Sequence, residues 1–340
     1  MEDSCADQEQ ADDRLDPGHH QRHRVRELAL LDFSKIRTYP ISKRRSKVTI
    51  SQFGSPCQPD VPMGEFFLSL PDILAGSDFK AVVSAIVSAR KGKKPVMFML
   101  GAHVIKCGLS PILIDLLKRG IVGGLAINGG CSIHDFEIAM WGKTSEDVEA
   151  GLSDGTFGMA DETGRLMNEA YEEGAEQGIG MGEALGRKLL ALNAPHRDLS
   201  ILAVCADLEI SITVHVCLGA DIVHQHPTAN GAAIGETTYY DFKRFASSVA
   251  DLEGGVICNF GSSVVLPEVF LKALTIVRNL GHPVKSFTTA NFDMTEQYRP
   301  RMNVVLRPTG GAGGYSIAGR HEIMVPLLAA AVRSQLQDGG

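Results

Sequence analysis

The chain has 340 residues, of which 44% are hydrophobic, 21% are charged and only 6% are aromatic. Together with the 36 glycines, this composition favours an α/β fold over an all-β sandwich or an aromatic surface that stacks nucleic-acid bases. The formal net charge of −7 and the isoelectric point near 5.9 exclude a broadly basic protein. We therefore expect no nucleic-acid partner.

The sequence also argues against a membrane segment and a disulfide framework. No apolar run reaches the roughly 18 residues of a spanning helix, and residues 1–27 are so polar that we predict a disordered tail without a signal sequence. The seven cysteines are odd in number and include no Cys-x-x-Cys pair. We expect a cytoplasmic protein with reduced thiols and a single domain over residues 28–336.

A basic stretch precedes the regular part of the chain. It runs from Lys35 to Lys47 and contains six lysine and arginine residues. One interpretation is a solvated connecting arm, and the other is a contact for an anion or an acidic partner.

Strands and helices alternate from residue 78 onward. In the first half, helical spacing over 78–87 precedes an apolar strand over 95–100. Ser110 as N-cap and Pro111 as first helical residue predict a helix to Lys118. A strand over 124–127, a helix starting near Ile133 and a helix capped within residues 144–147 follow.

The second half repeats this alternation. We predict helices over 161–192 (broken by glycines), 199–208, 264–280 and 321–335, and strands over 211–217, 255–260, 284–290 and 303–306, with a glycine-rich loop over 310–314. The recurring order of strand, glycine turn and helix predicts a mostly parallel sheet with helices on both faces.

Ligands of such sheets bind beyond the carboxyl ends of the strands, where this chain places polar residues. His134, His224 and His226 follow predicted strands and suit proton transfer near neutral pH. The His-x-His pattern of 224 and 226 alternatively starts a metal site. Lys106 either forms an imine or binds an anionic group, and Cys131 is either a nucleophile at a helix start or a small buried side chain. No Gly-x-Gly-x-x-Gly or P-loop pattern occurs.

Several segments resemble the deoxyhypusine synthases. They are LGAHVIKCGLSPILIDLL from Leu100, INGGCSIHDFE from Ile127, GVICNFGSSVV from Gly255 and IMVPLL from Ile323. The similarity covers roughly residues 70 to 335 and is greatest to bacterial deoxyhypusine-synthase-like proteins. It implies a Rossmann-like sheet, an NAD site and a homotetramer with sites between subunits.

The chain departs from this family at the positions that bind and react with the polyamine. The family's essential lysine, in a Trp-Gly-Lys segment, falls near Val305-Leu306-Arg307-Pro308, and no lysine follows Lys285. The family's Lys-His-His falls on Leu266-Pro267-Glu268, and its Asp-Ala-Ser near the cofactor falls on residues 320–322. Because arginine stays protonated and forms no imine, we do not expect genuine deoxyhypusine synthesis.

A second, shorter resemblance starts at Asn128. The segment from Asn128 to Glu137 is similar to part of an archaeal-type ornithine cyclodeaminase, which implies an NAD-dependent lyase.

We predict an NAD-binding, transferase-type enzyme that acts on a small amine, amino acid or other polar metabolite by transient oxidation. The alternatives are an NAD-dependent cyclodeaminase, a catalytically retired ligand- or partner-binding scaffold, and a metal-dependent hydrolase at His224 and His226, although we expect no metal. The predicted catalytic residues are His134, His224, His226 and Lys106. The predicted NAD contacts are Gly101, Ala102, His103, Asn128, Gly129, Gly130 and Asp221.

Overall fold

The computed structural model describes residues 29 to 337, so the predicted disordered tail at residues 1–27 lies outside the described part of the chain. Residues 29–47 form a unit of their own, with two single 3-10 turns at Phe33–Lys35 and Ile41–Lys43. A second compact unit begins at Val48. The predicted domain limits at residues 28 and 336 stay a prediction.

Six parallel strands form one sheet in the order β3-β2-β1-β4-β5-β6. The strands are β1 Val96–Leu100, β2 Gly124–Asn128, β3 Ser211–His215, β4 Val256–Phe260, β5 Thr288–Asp293 and β6 Gly314–Ala318. This order is that of doubly wound dinucleotide-binding sheets, whose connections reverse direction between β1 and β4. The predicted mostly parallel, Rossmann-like α/β fold is confirmed.

The central strands are apolar because helices cover both of their faces. Every residue of β1 and β4 is buried. Phe98 and Leu100 of β1 belong to a large core on one face, whereas Met97 and Met99 belong to a smaller core on the other. This alternation follows from the period of two in a strand.

The helices connect the strands and pack on the two faces of the sheet. They are α1 Met63–Ser69, α2 Leu74–Lys91, α3 Ala102–Lys106, α4 Ser110–Lys118, α5 Gly129–Trp141, α6 Val148–Asp154, α7 Asp161–Gln177, α8 Met181–Ala191, α9 Ile201–Asp207, α10 Gly231–Ala250, α11 Val265–Asn279, α12 Tyr298–Pro300 and α13 His321–Gln337. Within residues 29–337, none of these helices has the length and apolar character needed to cross a membrane.

Two helix starts differ from the prediction. α5 begins at Gly129 and not near Ile133, because the side-chain oxygen of Asn128 accepts a hydrogen bond from the backbone N–H of Cys131. α4 has Leu109 as its N-cap and Ser110 as its first residue, so the predicted capping role of Ser110 was wrong.

The last third of the sheet also differs. The predicted strand over 303–306 was wrong: Arg301–Leu306 is π-helical and continues α12. β5 lies at Thr288–Asp293, later than the predicted 284–290, and β6 lies just after the glycine run, where no strand was predicted.

Candidate functional site

The turns after β1, β2 and β3 meet at the carboxyl edge of the sheet and enclose a cavity of about 240 Å³. Four predicted site residues line it: Lys106 at the end of α3, Gly130 and His134 on α5, and Asp221 after β3. The structure therefore brings together side chains from three separate strand ends, as the topology predicts.

A larger cavity of about 450 Å³ adjoins the first and shares Glu137, Ser145 and Glu146 with it. Its other lining residues include Trp141, Lys143 and Glu162. The two cavities together thus present more carboxylates than cations.

A hydrogen-bond chain fixes the imidazole of His134. Its Nδ1 lies 2.7 Å from Oγ1 of Thr144, whose hydroxyl donates to Oε2 of Glu137. The hydroxyl of Thr163 donates to the other oxygen, Oε1, of Glu137 at 3.1 Å. Since the hydroxyl hydrogen of Thr144 is directed to the carboxylate, its oxygen accepts from His134, which places a hydrogen on Nδ1. The Nε2 atom of neutral His134 then has a free lone pair.

The surroundings of His134 keep it neutral. Burial lowers its pKa from 6.5 to about 4, and the positive charge of Lys106 acts in the same direction. Near neutral pH the Nε2 atom is therefore unprotonated. Binding of an anionic group at Lys106 would offset that charge and raise the pKa of His134.

Asp221 packs against the start of α5. A Cβ at Gly129 would overlap the carboxylate of Asp221, so only glycine permits this contact. Oδ2 of Asp221 is buried and has no hydrogen-bond partner among the described residues. Burial raises the pKa of this carboxyl to about 6.

Glycines bring the neighbouring turns into contact with one another. A Cβ at Gly130 would lie 3.2 Å from Cβ of Ala102, and a Cβ at Gly101 would overlap the carbonyl of Gly261 after β4. The absence of a side chain at Gly101 thus allows the turns after β1 and β4 to touch.

The two histidines of the His-x-His pattern line neither cavity. His226 is buried against Gly164, and its Nε2 donates to the carbonyl of Gly158 at 2.7 Å. Nδ1 of His224 accepts from the N–H of Gly219 at 3.2 Å, and burial lowers its pKa. Among residues 29–337, no group of three or more His, Cys, Asp and Glu side chains is arranged to hold a metal ion.

His103 is the second residue of α3 and does not line the cavity of Lys106. It is exposed, and its ring centroid is 6.3 Å from that of His321, the first residue of α13. His321 is buried, and its Nδ1 has no partner within the described chain. His321 was not predicted as a site residue because β6, the strand before it, was not predicted.

Cys131 is a packing residue. Its side chain is fully buried, and burial raises its pKa well above the ordinary value. A buried thiol of this kind is inert, so the hypothesis of an activated nucleophile was wrong.

Sequence reasoning also missed Glu137 and Thr144, which orient His134. Glu137 lies one helical turn after His134 on α5, a spacing that brings side chains together. The predicted helix starting near Ile133 already contains both residues, so their spacing of three was the signal that could have identified Glu137.

No family model matches the chain, and no curated protein matches it. Solved structures that resemble its fold include the following three. AgrE, in a complex with ornithine and NAD+, is 14% identical, with a TM-score of 0.47 over 78% of this chain and 34% of that chain. A candidate deoxyhypusine synthase from Entamoeba histolytica is 10% identical, with a TM-score of 0.47 over 83% and 96%. A conserved LOR/SDH protein from Methanococcus maripaludis S2 is 13% identical, with a TM-score of 0.44 over 82% and 72%.

The chain spans about a third of the length of AgrE. Likeness at this level concerns the fold alone.

Proposed function

We propose that the chain is an NAD-dependent enzyme that oxidises a small amine, amino acid or related polar metabolite transiently. The supporting observation is the 240 Å³ cavity, in which the cation of Lys106 lies beside a neutral His134 at the carboxyl ends of three parallel strands. A cation for binding and an unprotonated nitrogen for proton transfer are the two groups that such a reaction requires from the protein.

The residues of the strand ends fit NAD in one specific respect. The buried, unpartnered Oδ2 of Asp221 suits a ribose hydroxyl, which is a donor that the described residues do not supply. The first residues of α5, Gly129 and Gly130, have no side chains, and N–H groups at a helix start lack partners within the helix. We assign Asn128, Gly129, Gly130 and Asp221 to the contacts with the part of NAD that includes this ribose hydroxyl and that lies at the start of α5.

The charges of the cavity favour a substrate with both an amino and a carboxylate group. Lys106 suits a carboxylate, whereas Glu137 and Glu146 lie in the same cavity and suit an ammonium group. Asn128, Gly129, Gly130 and Asp221 would hold the cofactor, which when bound would supply a reversible hydride acceptor for the carbon that bears the amine. Lys106 would hold the substrate, and Nε2 of His134 would take the proton from its nitrogen.

We further propose a transferase-type outcome, with a cyclodeaminase-type elimination as the alternative. Deoxyhypusine synthesis is not proposed, because no lysine follows Lys285. A retired scaffold would bind NAD or a metabolite without turning it over. A panel of L-amino acids and aliphatic amines, incubated with NAD and assayed by chromatography, separates these possibilities, since a scaffold yields no product from any of them.

Asp221→Asn should weaken NAD binding about tenfold, because the amide retains the size of the carboxylate but loses charge and one acceptor. Isothermal titration calorimetry of folded protein with NAD measures this. Asp207→Asn, at an exposed position at the end of α9, serves as the matched control and should bind like the wild type. No heat of binding at millimolar NAD, with the protein folded, would contradict the proposal.

Lys106→Arg should retain measurable activity on the best substrate of the panel, whereas Lys106→Ala should lose about 10- to 150-fold in kcat/KM. Lys106 is exposed, which suits an electrostatic contact better than an imine. Borohydride added during turnover should therefore trap no substrate on the protein. Lys118→Ala, at the exposed end of α4, is the control. A trapped adduct at Lys106 would reverse the assignment.

A further inference from the structure

The first described segment, residues 29–47, exposes large apolar side chains to solvent; we name it the basic arm. All its residues are exposed. Its large apolar side chains are between 63% and 97% exposed and belong to Leu30, Leu31, Phe33, Ile36, Tyr39 and Ile41. Exposed apolar groups at this density mark an interaction site, since a solvated connector needs none.

The charge of the basic arm is almost entirely of one sign. It contains six basic residues, Lys35, Arg37, Lys43, Arg44, Arg45 and Lys47, and a single acidic residue, Asp32, which pairs with Lys35 at 3.2 Å. A surface that complements the arm must therefore be both apolar and acidic.

The chain itself contains such a surface, around α6. Residues 144–164, the acidic surface, include six acidic residues and no lysine or arginine: Glu146, Asp147, Glu149, Asp154, Asp161 and Glu162. Among the described residues, α6 buries none of its own side chains. Leu152 on α6 is 71% exposed, and Val148 and Met159 are exposed to about half.

We propose that the basic arm of one copy of this chain docks on the acidic surface of a second copy. The two segments match in both properties, since each combines exposed apolar side chains with six like charges, of which Lys35 of the arm pairs with Asp32 and Asp161 of the acidic surface pairs with Arg165, one residue beyond it, at 3.2 Å. Because each chain has both segments, two copies satisfy one another reciprocally, as in a two-fold dimer. This inference does not depend on the proposed function.

An acidic protein surface fits the arm better than an anionic membrane does. A segment that lies on a membrane is normally a helix with all its apolar residues on one face. The arm has only two single 3-10 turns, separated by Pro40, so its apolar side chains share no helical face.

Reciprocal charge reversal tests the proposal on the full chain. One variant changes the arm (Arg44→Glu with Arg45→Glu), and the other changes the acidic surface (Glu149→Lys with Glu162→Lys). Both chosen carboxylates are free of hydrogen bonds and ion pairs to the described residues, so their replacement leaves the internal contacts intact. Sedimentation velocity over a range of concentrations measures self-association of each variant and of their equimolar mixture.

Each variant alone should dimerise about tenfold more weakly than the wild type, because like charges face each other at the two substituted positions. The mixture should recover affinity, because the substituted positions of one variant then meet substituted positions of opposite charge on the other. Control pairs with the same change in net charge, Lys91→Glu with Lys94→Glu and Asp198→Lys with Asp207→Lys, lie outside both segments and should associate like the wild type.

Three results would overturn the proposal. They are a wild-type chain that stays monomeric at every concentration, variants that associate as strongly as the wild type, and a mixture without recovery, which would show that the two segments do not contact each other in the dimer. A different outcome would assign the arm to a membrane. The wild type would then float with phosphatidylserine vesicles and not self-associate, and the arm variant would no longer float.

Discussion

Asp135→Ala is expected to lower the free energy of unfolding by about 3–5 kcal/mol. The carboxylate of Asp135 is fully buried on α5 and accepts three hydrogen bonds at the start of α9. The donors are the hydroxyl of Ser200 at 2.5 Å and the backbone N–H groups of Ile201 at 2.9 Å and Leu202 at 3.0 Å. Alanine leaves these donors buried without an acceptor. Urea denaturation followed by circular dichroism measures the loss.

The matched control for Asp135 is Asp198→Ala, at an exposed position just before α9, which should change the stability by less than about 0.5 kcal/mol. The loss should also depend on pH. Burial raises the pKa of Asp135 from 3.8 to about 6, so the folded chain holds this proton more tightly than the unfolded chain. The stability that this proton contributes is present below pH 4 and is lost as the pH rises through about 6. An equal effect of the two alanine variants would contradict this role.

The sequence predicted the sheet best where burial decides the residue types. β1 and β4 are short apolar runs because both faces are covered, and such runs have few other interpretations. β6 was missed because its residues, Gly-Tyr-Ser-Ile-Ala, form an edge strand that is only partly buried. As an edge strand, β6 pairs with a single neighbour, β5, and this pairing leaves no pattern in the residues of β6 itself.

The π-helical segment at 301–306 shows how tertiary contacts override local preference. Its Val304 and Val305 favour a strand. The side chain of Asn303 donates to Oε1 of Glu268 on α11 at 2.8 Å, and Arg307 donates to Asn303 at 2.7 Å. The contact between Asn303 and α11 joins residues 35 positions apart in the sequence, so no local sequence pattern predicts it.

The candidate site was predictable to the extent that topology determines it. Parallel strands bring their carboxyl ends to one edge, which places Lys106, His134 and Asp221 around one cavity. Topology does not specify which way a side chain points. His226 therefore fits the sequence pattern of a strand-end site residue, but its side chain donates to the carbonyl of Gly158 and lies outside the cavity.

His134→Asn is expected to lower kcat/KM about a hundredfold to ten-thousandfold on the best substrate of the amine and amino-acid panel. The asparagine amide retains a donor near the position of Nδ1 and so preserves the contact with Thr144. It has no counterpart of Nε2, the atom that would take the proton. A structural role alone would therefore predict little loss, whereas proton transfer predicts a large one. Ser145→Ala, at another residue of the same cavity wall, is the control and should retain most of the activity.

The pH dependence separates proton transfer by His134 from a role in binding. Its pKa of about 4 means that the imidazole is neutral above this pH. Protonation of His134 should therefore lower kcat/KM of the free enzyme only near pH 4. Lys106→Gln removes the neighbouring positive charge, which disfavours the protonated imidazole, so the pKa of His134 should rise above about 4, while burial, the larger cause, still holds it below 6.5. Proton NMR of the His134 ring measures this shift directly, and the acid limb of the activity of Lys106→Gln should move to higher pH with it. A shift of the ring pKa without a matching move of the activity limb would show that His134 does not transfer the proton.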